Sequence, residues 1–219
     1  MPTGTFFRLP KEKRQRLIDA AWEEFTQVRF TEASINKIIK GAHIPRGSFY
    51  QYFEDKEDLF RYLQGEMREY FAGLMSELLS NAKGDPFAIP LAAFDRFVSQ
   101  SGDTDPVLLR FIQVMQRNRW LDSQWLVPTH PHFPPECLLG HVDTSRLRFD
   151  TQDFLEHVFF LLIASLAYAV METLRAPESW EQQRERLRQH VAIIQCGSVA
   201  TSSEEYAAAS QILQGGKLC

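Results

Sequence analysis

The sequence predicts an all-α protein with a small N-terminal helical domain, a larger C-terminal helical domain and a weakly structured tail. Apolar residues recur along most of the 219 residues at spacings of three and four, the period of an amphipathic helix. No segment shows the strict alternation of a half-buried strand. Asp85-Pro86 and Asp105-Pro106 have the cap-then-proline form of helix starts. We place the predicted domains at residues 1–53, 54–197 and 198–219.

The first two predicted helices belong to the N-terminal domain. An apolar stripe predicts a helix over 10–28 that braces the residues after it. Isoleucines at spacings of three and four predict a second, short helix over 34–42. Ser34 is expected to cap it by accepting a hydrogen bond from a first-turn amide. The break at 41–43 is too short for a loop, so the chain must turn sharply.

The third helix, expected over 45–53, carries polar and aromatic side chains on its outer face. Pro45 is expected to begin it, because the fixed φ of proline suits a helix start and its missing N–H costs nothing there. Phe49 and Phe53 lie one turn apart and are expected to anchor the helix to the core. The residues left to project outward are Arg46, Gly47, Ser48, Tyr50 and Gln51.

These outward residues have the chemistry of a DNA-groove reader. Arg and Gln can make paired hydrogen bonds to base edges, and the hydroxyls of Ser and Tyr can reach phosphates. Glycine lets the backbone approach the duplex closely. A helical hairpin with only a structural role would not need this combination.

Two short motifs in this region carry a family resemblance. Residues 47–53 read GSFYQYF, and Lys56, Glu57 and Leu59 follow them. They occupy the places of the Gly-Thr-Leu-Tyr-x-Tyr-Phe and x-x-Lys-Glu-x-Leu patterns of the tetracycline-repressor (TetR) family of bacterial transcription regulators, with Ser48 for Thr and Phe49 for Leu. Residues 11–59 therefore resemble the DNA-binding domain of that family.

The resemblance implies specific contacts with DNA. Phosphates would be bound by Ser34 and Lys56. The major groove would be faced by Arg46, Gly47, Tyr50, Gln51 and Tyr52. The full set of candidate DNA-binding residues is Ser34, Asn36, Pro45, Arg46, Gly47, Ser48, Tyr50, Gln51, Tyr52 and Lys56.

Two residues depart from the family pattern. His43, with Gly41 before it, occupies the place of the usual turn glycine. Because His tolerates left-handed backbone better than most residues, we expect the turn to survive. Pro45 replaces the usual Ser or Thr, which removes one expected phosphate contact.

The charge distribution fits a DNA-binding head on an acidic body. Residues 1–53 hold nine Lys and Arg against five Asp and Glu, and residues 54–219 hold fifteen against twenty-three. The net charges are therefore +4 and −8. A basic head is attracted by phosphates, whereas an acidic body is repelled by them.

Periodicity and capping residues predict the helices of the body. These are expected over 55–81, 85–100, 105–121, 150–175 and 177–196. The proline-rich segment 126–140 cannot form one regular helix, although a short helix over 135–142 is compatible with it. The apolar stretch 158–171 is shorter than the roughly 20 residues of a membrane span, so we expect a buried helix.

The last two helices predict a homodimer. Helix 150–175 is apolar nearly all round and must be covered on both sides, so a partner subunit can cover one of them. The predicted interface comprises Phe160, Ala164, Ala167, Trp180, Leu187, Val191 and Ile194. The alternative is that both helices only complete a core within the chain. By resemblance, a two-fold dimer would read a pseudo-palindromic operator with half-sites roughly 34 Å apart or somewhat more.

Aromatic residues of the body are candidates for a ligand pocket. They are Phe94, Phe97, Phe111, Met115, Trp120, Trp125, Phe159 and Tyr168, of which Met115 is the one aliphatic member. Core packing is the default role for such residues. The resemblance implies a small apolar or aromatic inducer between the middle helices, whose binding changes the separation of the DNA-binding heads.

The segment 130–141 offers a different chemistry. His130, His132, Cys137 and His141 are four residues of types that bind zinc or copper, but no paired-cysteine signature accompanies them. A metal-dependent enzyme or metal sensor is therefore the alternative function. No nucleophile-and-base motif, phosphate-binding glycine loop or HExxH pattern is present.

The sequence thus predicts a ligand-responsive transcription regulator, a repressor released from operator DNA by its inducer. We expect no enzymatic activity, no cofactor and no membrane association. Three scattered cysteines and no signal-peptide pattern favour the cytoplasm. A helical interaction module without DNA binding is a third possibility, and the outward residues at 46–52 speak against it.

Overall fold

A computed structural model describes residues 2–118, 138, 140–145 and 147–200. Within these ranges the chain forms α-helices and short 3₁₀ turns and no strand, and two isolated bridges join Val98 to Thr104 and Leu147 to Val199. The predicted all-α class is confirmed.

The helices follow one another with short connections. Their bounds are α1 Gly4–Phe7, α2 Lys11–Gln27, α3 Ile35–Gly41, α4 Arg46–Tyr52, α5 Lys56–Asn81, α6 Ile89–Phe97, α7 Pro106–Arg117, α8 Gln152–Arg175 and α9 Trp180–Ser198. The sequence-based bounds of α2, α5, α8 and α9 are confirmed within about three residues. Helix α6 ends at Phe97 rather than near residue 100, because Val98 pairs with Thr104 and the chain turns there. Helix α1 was not predicted, since its four residues are too few to show a helical period.

Contacts divide the chain into two compact units. Unit 1 lies within residues 1–71 and 106–127, and unit 2 lies within 72–105 and 128–219. The expected boundary at residue 53 therefore falls inside unit 1. The physical reason is that Leu59, Phe60 and Leu63, at the start of α5, belong to the same buried cluster as α2, α3 and α4.

The core of unit 1 is rich in aromatic side chains. Phe25 lies 4.9 Å from Phe60 between ring centroids, and Phe49 lies 5.9 Å from Phe53. Both Phe49 and Phe53 are fully buried, as predicted. Burying one such side chain stabilises the fold by about 1.5–3 kcal/mol. Rings from several helices thus hold the short α3 and α4, which would be marginal alone.

Unit 2 is built on packing among α6, α8 and α9. Phe94 of α6, Leu162 of α8 and Leu187 of α9 are almost completely buried. On the surface, Arg184 makes a paired contact with Asp95, with distances of 2.7 Å and 2.8 Å. Helix α9 is thereby fixed on α6 by both apolar and ionic contacts.

Helix α8 has an unusually apolar composition. Its length of 24 residues and a mean hydropathy of 1.9 over its most apolar window would suit a membrane span, and 39% of that window is buried inside the fold. Core helices of globular proteins share these properties, so composition alone is weak support for a membrane location.

Candidate nucleic-acid interface

The turn between α3 and α4 is a complete Schellman motif. The amide of Ile44 donates to the carbonyl of Ile39 at 3.0 Å, and that of His43 donates to Lys40 at 3.2 Å. His43 has a φ of +53°, in the left-handed region. The predicted survival of the turn without glycine is confirmed. Ile39 and Ile44 are both buried in the core cluster of unit 1, in keeping with the apolar pair that often accompanies this motif.

Helix α4 presents a continuous exposed face. Arg46, Gly47 and Gln51 are exposed, and Tyr50 is 48% exposed. Pro45 lies at the N-cap, one residue before the helix, and its carbonyl accepts the amide of Ser48 at 3.0 Å. Ser48 itself is half-buried.

Tyr52 does not belong to that face, which corrects the expectation from the sequence. It is only 4% exposed and joins the core of unit 1, with its ring 6.4 Å from that of Phe6. The residue lies at a spacing of three from the buried Phe49, so it shares the inward side of the helix. Its neighbour Gln51 takes the outward direction instead.

Helix α3 contributes exposed polar residues beside the face of α4. Asn36, Lys37 and Lys40 are exposed. The side-chain carbonyl of Asn36 accepts a hydrogen bond from Nη1 of Arg46 at 3.1 Å. This bond pre-orients a guanidinium whose remaining donors can meet phosphate or a base edge.

Ser34 was expected to cap α3 through its side chain, and the structure corrects this. Its side chain makes no cap hydrogen bond, although it occupies the N-cap. Instead, its backbone amide donates to Oε1 of Glu24 at 2.9 Å. Glu24 is only 6% exposed, and Lys37 lies 3.8 Å from the same oxygen. A buried carboxylate from α2 thus satisfies the start of α3 and is favoured by its positive dipole end.

Lys56 has a structural role in the free protein. Its ammonium donates to the carbonyls of Ala33 at 2.9 Å and Thr31 at 3.3 Å, and it lies 4.8 Å from the ring centroid of Phe30. These contacts fix the approach to α3. Because an ammonium has three donors, one remains for the phosphate contact implied by the family resemblance.

Asn118 is a buried polar residue that, like Glu24, was not singled out from the sequence. It is 1% exposed, accepts from the amide of Phe30 at 2.8 Å and donates to the carbonyl of Val114 at 2.8 Å. Arg117 donates to the carbonyl of Thr26 at 2.5 Å. The end of α7 therefore holds the connection between α2 and α3. Buried polar residues of this kind give no periodic signal.

The residues proposed for the dimer interface fall into two groups. Phe160, Ala164 and Ala167 are exposed on α8, together with Leu161 and Tyr168.

In the second group, the structure corrects the expectation for Leu187 and Val191. Leu187 and Val191 are buried within unit 2, and the indole N–H of Trp180 donates to the carbonyl of Val98 at 2.9 Å. Ile194 is half-buried. The reason is that the apolar stripe of α9 packs on α6 and α8 of the same chain. Ile193 lies off this stripe, and its side chain is 70% exposed.

The proposed pocket residues occupy different environments. Phe94, Phe97 and Phe159 are buried in unit 2, whereas Tyr168 is 50% exposed. Phe111 belongs to unit 1, 5.6 Å from the ring of Phe71. The side chain of Met115 and all of Trp120 and Trp125 lie outside the described residues.

A cavity of about 520 Å³ in unit 1 borders none of these predicted residues. Its walls come from α1, α2, α5 and α7, including Trp22 and Tyr62. Burial and a hydrogen bond to the Glu66 carboxylate raise the pKa of Tyr62 to about 12.

Three members of the candidate metal set, His130, His132 and Cys137, lie outside the described residues. His141 is exposed, and its amide donates to the carbonyl of Leu138 at 3.0 Å. Among the described residues, no three side chains of metal-binding type come together.

Comparisons with known proteins agree with the geometry of unit 1. Residues 17–63 match the family described as bacterial regulatory proteins, tetR family. The chain is 34% identical over 74 residues to the transcriptional regulator AcuR of Cereibacter sphaeroides, covering 34% of each protein. It is 32% identical over 79 residues to the HTH-type transcriptional regulator AcrR of Shigella flexneri, covering 36% of this chain and 37% of that protein. The alignments thus span about a third of these relatives.

A solved structure supports the fold over a longer range. It is a transcriptional regulator from Rhodococcus sp. Rha1, with a TM-score of 0.56 and 18% identity over 88% of this chain and 100% of that one. At this identity the likeness concerns the fold alone. The helix–turn–helix geometry, the matched segment and the similar regulators together identify residues 17–63 as a DNA-binding segment of the tetR family of bacterial regulatory proteins.

Proposed function

We propose that this protein is a homodimeric, ligand-responsive repressor that binds a pseudo-palindromic operator. One observation carries the DNA-binding part, namely the exposed face of α4 beside the exposed Asn36, Lys37 and Lys40 of α3. Arg46 and Gln51 supply donors that can read base edges, and the lysines supply charge for phosphates.

The charge of the head supports the same proposal. Residues 1–53 carry a net charge of +4, although the whole chain carries −4. Attraction to phosphate is therefore directed to the segment that contains α3 and α4. The acidic remainder disfavours other orientations on the duplex.

The exposed stripe of α8 supports dimerisation. Phe160 and Leu161 are 40% and 49% exposed, and Tyr168 is 50% exposed about two turns further on. A row of apolar side chains of this kind is typical of an interface. A two-fold axis along this stripe would give the dimer two copies of α4, one for each half-site of the operator.

The ligand-responsive part follows from the family and from the aromatic content of the body. We propose a small apolar or aromatic inducer that favours one of two packings of the body and so releases the operator. A metal ion bound through His130, His132, Cys137 and His141 is the alternative effector.

The test is selection from random duplex DNA at moderate salt, followed by sequencing of the retained fraction. We expect enrichment of a pseudo-palindrome, which then serves as a probe for small aromatic inducers that release it. A folded dimer that enriches no sequence would contradict the proposal and direct attention to the metal-binding alternative.

Arg46→Ala tests the reading face on the enriched duplex. We expect a loss of about 1–3 kcal/mol at the selected site and relaxed preference at one base position. Arg186→Ala removes the same charge from an exposed position on α9 and serves as the control. Equal, sequence-independent weakening by Arg46→Ala would assign Arg46 to phosphate, and no weakening would remove it from the interface.

A further inference from the structure

We propose that residues 2–9, here called the N-terminal clasp, hold the C-terminal end of α4 and thereby position its groove-facing residues. The inference rests on the proposed DNA-binding function. It goes beyond the tetR-family match, because the clasp lies before the matched segment 17–63.

The clasp satisfies the end of α4 with two hydrogen bonds. The amide of Thr3 donates to the carbonyl of Tyr52 at 2.9 Å, and its hydroxyl donates to the carbonyl of Gln51 at 2.6 Å. The last carbonyls of a helix have no partner within the helix. In a helix of seven residues, two such bonds affect a large part of the backbone. One of them is made to the carbonyl of Gln51, a groove-facing residue.

Phe6 anchors the clasp in the core of unit 1. Its side chain is 0% exposed, and its ring centroid lies 4.9 Å from Phe53 and 5.1 Å from Tyr62. Phe53 follows directly after α4, and Tyr62 lies on α5. The next residue, Phe7, is 53% exposed and makes no comparable insertion. Phe6 therefore joins the clasp to both helices at the C-terminal side of α4.

The clasp has no independent means of staying folded. Helix α1 has four residues, too few for a stable isolated helix. Its order depends on the Phe6 anchor and the Thr3 bonds. Conversely, α4 depends on the clasp for its terminal carbonyls, so the two segments stabilise each other.

This arrangement predicts a positioning effect and not a direct contact. Releasing the clasp would let the end of α4 fray, and the directions of Tyr50 and Gln51 would no longer be fixed. Binding to the selected operator would weaken more than binding to unrelated DNA. The number of phosphates neutralised would stay the same, so the salt dependence of binding would not change.

The experiment compares point variants of the full chain on the duplex enriched by the wild-type protein. Thr3→Val removes the hydroxyl donor but keeps the shape, and Thr3→Ser restores the donor. Phe6→Ala removes the anchor, and Phe7→Ala removes an exposed ring as the matched control. Affinity is measured at several salt concentrations, below the melting temperature of every variant, and amide hydrogen exchange is followed over residues 2–9 and 46–53.

We expect Thr3→Val and Phe6→Ala to lower operator affinity about fivefold or more, with an unchanged salt slope and faster exchange over 46–53. Thr3→Ser and Phe7→Ala should bind like the wild type. If Phe6→Ala does not fold, the comparison of Thr3→Val with Thr3→Ser tests the proposal. Wild-type affinity in Thr3→Val would overturn the proposal, and so would a reduced salt slope, which would show direct phosphate contact.

Failure of the proposed function has a different signature. If the wild-type protein enriches no duplex, the DNA-binding proposal fails. The exchange comparison then still tests the clasp, because equal protection of 46–53 in Phe6→Ala and Phe7→Ala would overturn it in the absence of DNA.

Discussion

At the scale of single residues, our proposal makes Gly47 a position where folding and DNA binding favour different side chains. It is exposed on α4, and a Cβ built there would meet no atom within 4 Å. Its φ is negative, so the fold does not require glycine. Alanine has the higher helix propensity, and we propose close approach of the duplex as the reason for glycine.

Gly47→Ala should therefore separate stability from binding. We expect the free energy of unfolding to rise by up to about 1 kcal/mol. Operator binding should weaken by about 1–3 kcal/mol, because the new methyl group occupies the space of the duplex backbone or base edges. Chemical denaturation and fluorescence anisotropy measure the two effects.

The control for that substitution is Gly73→Ala. Gly73 is exposed on α5 and also has no neighbour within 4 Å of a built Cβ. We expect the same gain in stability without a change in operator affinity. If Gly47→Ala binds DNA as well as Gly73→Ala does, close approach at Gly47 is not required.

At the scale of elements, α3 depends on α2 for both its position and its first turn. Gly41 lies so close to α2 that a Cβ there would be 3.2 Å from that of Ala20. At the other end, Glu24 accepts the amide of Ser34. Two contacts with one helix thus fix both ends of α3.

Glu24→Ala should destabilise unit 1 by about 1–3 kcal/mol, because it leaves the Ser34 amide without its acceptor. Glu24→Gln keeps an acceptor oxygen and should cost less. Glu23→Ala, at the exposed neighbouring position, should change the free energy of unfolding by less than about 0.5 kcal/mol. Urea denaturation measures all three variants, and equal values for Glu23→Ala and Glu24→Ala would show that this bond contributes nothing.

At the scale of the whole molecule, the exposed stripe of α8 determines the oligomeric state in our proposal. Leu161→Glu places a charge within that stripe, at its 49% exposed leucine. We expect it to convert the dimer to a monomer, because burying an unpaired carboxylate at an interface is costly. Sedimentation velocity measures the change in mass, and binding to the full palindrome should fall toward that of one half-site.

Leu109→Glu is the matched control for the dimer. Leu109 is a 36% exposed leucine on α7, outside the stripe. A dimer that persists in Leu161→Glu, or an equal loss in Leu109→Glu, would rule out the α8 stripe as the interface.

The sequence predicted where the helices lie better than it predicted what their side chains pack against. Helical spacing and prolines were sufficient for α2, α3 and α4, since both act over a few residues. The expected interface positions of Leu187 and Val191 were wrong, because an apolar stripe looks the same whether it packs on its own chain or on a partner. The groove-facing position implied for Tyr52 was wrong because it shares the inward side of α4 with Phe49.

By itself, the sequence determined the all-α class, the sharp turn at His43 and the exposure of Arg46, Gly47, Tyr50 and Gln51 on α4, because local backbone preferences and helical periodicity decide them. Only the tertiary structure decided that Glu24, Asn118 and Thr3 stabilise unit 1. Each of these side chains bonds a backbone group distant in sequence, from 10 residues for Glu24 and Ser34 to 88 for Asn118 and Phe30. Such partners are chosen by how the helices pack, and packing leaves no local pattern in the chain.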